Sequence, residues 1–479
     1  METRLLINGN WTEAAAGERL PVEDPSTAEV LRDVALGGPA DADAAIAAAR
    51  TAFDAGPWPH LTPEERGAVL RKLGDLLEAN AEHFGQIIED EVGTVRSMAR
   101  AIQVDRPMAN FWDLVERGSQ SLDQPLAAME GATDQLIARE PRGAVSVIVP
   151  WNFPHFLDIW KVAPALVTGN TVVLKPALET PGVALELGRL ALEAGVPPGV
   201  LNVITGGPEV GELLVTDPRI DMVSFTGSTV VGRHIASAAG ATVKHVVLEL
   251  GGKSALVALA DADLDAMTES AMRFVLNSGQ GCALNTRLVL ADAIHDEVVD
   301  RLVQIVGALK VGSAHDEASQ VGPVISGRQR ERVEGYIALG REAGAKIAVG
   351  GGRPPVAEHG YFVEPTVFTE VDNSMRVARE EIFGPVLCVI RFSGDPDEGV
   401  AIANDSEYGL AGSVWTANLD VGLEMARAIR AGKVNVNASR QSSVDAPFGG
   451  YKQSGVGREL GQIGLEEFTE VKHLAWGKT

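Results

Sequence analysis

Cysteine is scarce in this 479-residue chain: only Cys282 and Cys388 occur, with no CxxC pair. That argues against a disulfide framework or a thiol zinc site, and a reducing, cytoplasmic setting is expected. Positive charge is also in short supply, with 41 basic against 65 acidic residues and a formal charge of -24. Such a surface repels phosphate backbones and anionic lipid, so neither nucleic acid nor a membrane is an expected partner. No apolar run approaches the roughly 20 residues needed to span a bilayer. The segment Met1 to Trp11 lacks the apolar stretch of a signal peptide and reads as a strand entering an Asn8-Gly9 turn. No metal is expected, and no low-complexity tract or repeat array is visible.

The length exceeds what one hydrophobic core organises, so two or three domains are expected. Ala-rich amphipathic stretches predict helices around Asp41 to Phe53, Pro63 to Glu91 and Val95 to Arg117. From Gly143 the pattern changes. Short β-branched runs at Val145 to Val149, Thr171 to Lys175, Val200 to Ile204 and Met222 to Phe225 alternate with helical stretches. This predicts an α/β fold with a parallel, nucleotide-binding style of sheet. A second α/β region follows, with runs at Ser254 to Leu259, Arg287 to Leu290 and Pro385 to Ile390, and extends to about Phe448. The segments 122–140 and 449–479 fit neither region and suggest a small discontinuous third unit at a subunit contact.

Within the second region Cys282 stands out, because Gly279, Gly281 and Ala283 strip bulk from around its sulfur. A free cysteine is more often a small buried hydrophobe, so this openness is what suggests a nucleophile. Ligands of open α/β sheets bind beyond the carboxyl ends of the strands. There, Gly227 would allow a tight turn, Ser228 would start a helix, and Gly232 would allow close helix packing. An ordinary N-capped helix is the other reading of Ser228. Two glycine patterns are rejected. Gly252-Lys253-Ser254 lacks the first P-loop glycine, where Val247 stands, and the Gly455 to Gly461 pattern follows no hydrophobic strand, reading as a loop entering a helix.

Four further patterns accompany Cys282: Pro150-Trp-Asn-Phe-Pro154, Leu248-Glu-Leu-Gly-Gly-Lys253, Glu380-Glu-Ile-Phe-Gly-Pro385 and Pro447-Phe-Gly-Gly-Tyr-Lys-Gln-Ser-Gly455. In identity and order this set resembles the aldehyde dehydrogenase superfamily, over nearly the whole chain. The resemblance implies a Rossmann-like cofactor domain (1–121 plus 141–249), an α/β catalytic domain (250–448) and an oligomerisation element (122–140 plus 449–479), in a homodimer or homotetramer. It implies oxidation of a small-molecule aldehyde to the acid through a thioester on Cys282. The side-chain amide of Asn152 is suited to hold the oxyanion, and Glu249, awkward as a buried carboxylate, is suited to activate water. Read as plain structure, Asn152 is a turn residue, and Glu249 faces solvent or pairs with Lys253.

By the same resemblance, Glu381 and Phe383 hold the nicotinamide end of NAD. Lys175 contacts the adenosine ribose, and Ile148, Trp151, Gly207, Gly211, Phe225, Gly227, Ser228, Val231 and Leu250 surround the rest; Glu380 is expected to be structural. NAD-preferring members commonly carry glutamate three residues after the lysine, where this chain has Leu178, with Glu179 next. NAD is therefore expected as preferred cofactor, with NADP tolerated. Phe153, Leu157, Trp160, Ser442 and Phe448 fall near the substrate passage, and Arg440 lies close in sequence. This mixed set suggests aliphatic or aromatic aldehydes of medium size. A CoA-acylating relative and a catalytically silent protein on the same fold are the competing readings, and Glu249, Cys282 and Asn152 argue against them.

Overall fold

Seven of the β-branched runs become central strands of two sheets, and the side chains on those strands are buried on both faces, as parallel strands require. The computed structural model describes residues 1–127, 134–356, 358–439 and 443–477. The first sheet has eight strands, in the order Asn10–Thr12, Leu5–Ile7, Leu201–Val203, Thr171–Lys175, Ala144–Ile148, Met222–Thr226, His245–Glu249 and Gly455–Val456. Its five inner strands are mutually parallel; both edges are antiparallel. Asn8 and Gly9, with φ of 51° and 75°, make the left-handed two-residue turn that joins the first hairpin.

The second sheet has seven strands: Lys346–Val349, Thr366–Thr369, Val386–Phe392, Asn285–Ala291, Ser254–Ala258, Ala411–Trp415 and Lys433–Val436. All neighbours are parallel except the first pair. Each sheet has its own core. Leu166, Val172 and Phe84 lie in one core, and Leu256, Val289 and Phe368 in the other. A third sheet pairs Thr469–Trp476 with Asp134–Pro141, which in turn pairs with Gln124–Leu126. The C-terminal tail is divided: Gly455–Val456 adds to the first sheet and only Thr469–Trp476 reaches the third.

The helices depart from expectation at two places. The run from Pro63 splits into Pro63–Ala79 and Ala81–Val92, because the Asn80 amide turns back to donate to the Leu76 carbonyl at 2.8 Å. The run from Val95 becomes the short turn Arg96–Met98, a π-helical stretch Ala99–Asp105 and the α-helix Arg106–Gly118. Pro107 has no N–H for the i→i−4 ladder, and the widened π turn precedes it directly. Gly252-Lys253-Ser254 leads into a strand rather than a helix, which removes any P-loop geometry. Among the described residues, no helix is long and apolar enough to cross a membrane.

Candidate active site

The five inner strands of the first sheet end side by side, and their last residues make its binding edge. Ile148 sits beside Lys175 on one side and Phe225 on the other, and Glu249 closes the row beside Thr226. Ser228 caps the helix Thr229–Gly240, its Oγ accepting from the Val231 N–H at 3.3 Å, and Val231 is exposed. The capping reading of Ser228 thus holds, and it leaves the hydroxyl and the helix N-terminus on the same edge. Helix Pro208–Thr216 starts from Gly207, whose carbonyl accepts from Gly211; a Cβ on Gly211 would lie 3.9 Å from the Lys175 Cε. A Cβ on Gly232 would come within 2.3 Å of Leu250, so this helix packs on the strand end as closely as glycine allows.

A cavity of about 730 Å³ runs from this edge to the second sheet. Its walls include Trp151, Asn152, Phe153, Leu157 and Trp160, then Gly227, Ser228, Glu249 and Leu250, and finally Cys282, Glu381, Phe383 and Phe448. Ile148, Lys175, Gly207, Gly211, Phe225 and Val231 lie outside that lining. Ser442 and Arg440 fall outside the described residues.

Cys282 reaches the cavity on a loop of unusual backbone. Asn277, Ser278 and Gly279 are successively left-handed, with φ of 48°, 55° and 75°. At Gly279 a Cβ would also strike the Gly384 backbone at 2.1 Å, so only glycine fits. Buried amides hold this loop. Asn152 Nδ2 donates to the Gln280 carbonyl at 2.8 Å, and Asn277 Nδ2 donates to the Asn152 carbonyl at 2.9 Å. Gln280 Nε2 donates to the Asn277 carbonyl, Thr94 Oγ1 donates to Asn277 Oδ1, and Gln103 Nε2 donates to Thr94. Asn152 does sit in the bend before helix Pro154–Val167, but its side chain is buried and holds the Cys282 loop. The residue is 4% exposed, and one of its two amide hydrogens remains uncommitted on the wall of the cavity that Cys282 also lines.

The half-buried thiol is itself held protonated. Burial, then the carboxylates of Glu381 and Glu249, push its pKa up to about 12. Glu249 is buried with both carboxylate oxygens unpartnered. Burial and the neighbouring Glu459 raise its pKa well above the usual carboxylate range, against the pull of Lys161 and Arg458. The pairing with Lys253 does not occur, since the buried Lys253 ammonium has no hydrogen-bond partner either.

Glu381 accepts from the Gly252 N–H at 2.9 Å, and burial raises its pKa to about 7. Phe383 is left-handed (φ 61°) and meets Trp151 edge-on at 5.4 Å between ring centroids. Arg332 and Gln329 brace the segment by donating to the carbonyls of Glu381 and Phe383 at 2.6 and 2.7 Å. Glu380 points away, to Arg376 and Tyr336, as a structural residue. On the passage side, Phe153, Phe156, Trp160 and Phe448 form a chain of ring contacts, and the Trp160 indole donates to Asn110 at 3.3 Å.

Two groups of site residues escaped sequence reasoning. Asn277 and Gln280 carry no local signature, since their partners lie far along the chain. Lys161 and Glu459 form a fully buried ion pair next to Glu249. A lysine inside the largely apolar helix Pro154–Val167, which also buries His155 and Asp158, was the available signal. Among the described residues, no group of three or more His, Cys, Asp and Glu side chains is set to hold a metal ion.

Fold and site together are those of an α/β enzyme with one deep cavity running from the strand ends of its first sheet to its second. The aldehyde dehydrogenase family model matches residues 11–474, and the chain belongs to that family. It is 40% identical to a betaine aldehyde dehydrogenase of Bacillus subtilis over 99% of this chain and 97% of that protein. It is also 40% identical to a geranial dehydrogenase of Castellaniella defragrans, over 98% of each. An NAD+ complex of an aldehyde dehydrogenase from Bacillus cereus superposes with a TM-score of 0.97 at 40% identity, covering 100% of this chain and 97% of the other.

Proposed function

We propose that this chain oxidises aldehydes to carboxylic acids with NAD as preferred acceptor and NADP tolerated, Cys282 being the nucleophile. The observation that carries this reading is the convergence of Cys282, Asn152, Glu249 and Glu381 on one cavity. The cavity suits a dinucleotide. It combines a helix N-terminus at Ser228, a carboxylate at Glu381 and apolar walls at Trp151, Leu250 and Phe383. Glu381 and Phe383 would hold the nicotinamide end, and Ile148, Lys175, Gly207, Gly211, Phe225, Gly227 and Val231 the adenosine and pyrophosphate. Bound there, NAD(P)+ would supply a positively charged ring and a two-electron acceptor. Glu179 and Glu209 both bear on the Lys175 ammonium, and this acidic surround disfavours a 2′-phosphate.

The chain's own groups divide the remaining work. Cys282 Sγ bonds to the carbonyl carbon once its proton has left, and the nearby carboxylate of Glu249 is placed to accept it. The uncommitted N–H of Asn152 donates to the oxygen that becomes negative. After that proton has passed to solvent, Glu249, again a carboxylate, takes a proton from the water that attacks the thioester, and its raised pKa makes it a stronger base than a surface carboxylate. Phe153, Leu157, Trp160 and Phe448 flank the substrate. A free thiol is best preserved in a reducing compartment, which supports a cytoplasmic setting. The domain division at 121, 141, 249 and 448 stands as part of this reading, with Gly455–Val456 reassigned to the first sheet. Exposed Leu126, Val471, Leu474 and Trp476 on the third sheet support its role as the contact of a homodimer or homotetramer. Assaying neutral aldehydes with NAD and with NADP, in the absence of CoA, tests the reaction. Turnover that requires CoA would replace hydrolysis with acyl transfer.

A further inference from the structure

One part of the cavity is unlike the rest of the molecule. The chain carries a formal charge of -24, yet Arg106, Arg273 and Lys433 all line the cavity that holds Cys282. They come from three separate elements. Arg106 begins the helix Arg106–Gly118, directly after the π-helical stretch, and is exposed at the rim. Arg273 lies in the segment Met272–Gly279 that leads into the Cys282 loop. Lys433 opens the edge strand Lys433–Val436 of the second sheet. Neutral donors share this stretch of wall: Asn110, one turn from Arg106, with Asn435, Ser439 and Ser443. The acidic residues of the lining, Glu249, Glu381 and Glu459, are those assigned above to the reaction and cofactor end.

Resting on the aldehyde dehydrogenase reading, we propose that this wall selects aldehydes bearing an anionic group, such as a carboxylate, at the end remote from the carbonyl. Arg106 and Arg273 have interactions of their own, but both act on Lys433 as like charges, and an anion beside its ammonium relieves that repulsion. Burial first, then Arg106 and Arg273, push the Lys433 ammonium down to about 8. Among the described residues, no ion pair or hydrogen bond reaches that ammonium. Its three donors face a cavity and no protein carboxylate, so an incoming carboxylate gains charge-assisted hydrogen bonds without displacing a partner. The overall negative field of the molecule would otherwise turn an anionic substrate away, and a local positive wall offsets it. The aromatic chain from Phe153 to Phe448 lines the same cavity, suited to the methylene spacer of such a substrate. A cationic aldehyde would meet like charge.

The test compares the specificity constants of an ω-carboxylated aldehyde and the methyl-ended aldehyde of equal chain length, with NAD. The expected ratio favours the carboxylated aldehyde by about tenfold or more, the value of a charge-assisted hydrogen bond. Added salt should shrink it. Lys433→Met should lower the ratio by about tenfold, and Lys433→Arg should keep it. The salt series on the unaltered enzyme gives an answer even if the variants misfold. A ratio near one, or one that neither salt nor Lys433→Met moves, overturns the inference and leaves the dehydrogenase reading intact. Turnover of neither aldehyde with NAD or NADP overturns both.

Discussion

The floor of the cavity and its rim hold charge in opposite ways. At the floor, Glu249 is buried and Glu381 half-buried, and burial pushes both above the normal carboxylate range, so each holds its proton more tightly than a surface carboxylate. At the rim, Arg106 and Lys433 keep contact with solvent, and they meet Arg273 on the same wall. Chemistry needs groups whose charge is changeable, and burial makes carboxyl groups so. Selection needs positive charge, which the two arginines keep and Lys433 carries below about pH 8. The two tasks therefore fall at different depths of one cavity, and variants should separate them.

Cys282→Ala is expected to have the largest effect: no detectable oxidation of any aldehyde, with dinucleotide binding by fluorescence titration preserved. Glu249→Gln comes next. Steady-state turnover should collapse, and so should the rise of kcat with pH. In the unaltered enzyme that rise should lie above the ordinary carboxylate range, since the base works only after a proton bound unusually tightly has left. Asn152→Ala removes one oxyanion donor and should cost about 10²- to 10³-fold in kcat, or ~2.7–4 kcal/mol. It should do so for carboxylated and neutral aldehydes alike, in contrast to Lys433→Met, which should act through the ratio between them. A centre variant that changed the ratio as strongly as Lys433→Met would erase the distinction between floor and rim.

A smaller effect should lie outside the cavity altogether. His315 bridges Asp24 at 2.9 Å and Glu89 at 2.8 Å, and these carboxylates raise its pKa to about 9. A histidine raised above its unfolded value contributes stability that is fully present below about pH 6.5 and lost as pH rises through about 9. His315→Gln should lower Tm at pH 6 by a few degrees and lose that difference by pH 10, with kcat unmoved. A Tm difference that is constant with pH would contradict the ionic origin of the contact.

Much of the architecture was legible because parallel strands announce themselves: Thr171 to Lys175 and Met222 to Thr226 are short β-branched runs ending at turns. The break at Asn80 and the π turn before Pro107 were not, since amphipathic spacing runs through both and only hydrogen bonding reveals them. At the site, Cys282, Asn152, Glu249, Glu381 and Phe383 are brought to one cavity as expected from the motifs. The Asn277 and Gln280 supports and the Lys161–Glu459 pair depend on partners more than a hundred residues away. The cationic wall escaped for a similar reason. Arg106, Arg273 and Lys433 look like solvated surface charges one by one, and only the fold gathers them.

The most direct test of the division between Cys282 and Glu249 is a rapid-mixing measurement on Glu249→Gln with NAD and a good aldehyde substrate. The account predicts a burst of reduced nicotinamide stoichiometric with active sites, followed by almost no further turnover, because the thioester forms and is not hydrolysed. Steady-state turnover at the unaltered rate, with no burst, would contradict it and remove Glu249 from the reaction.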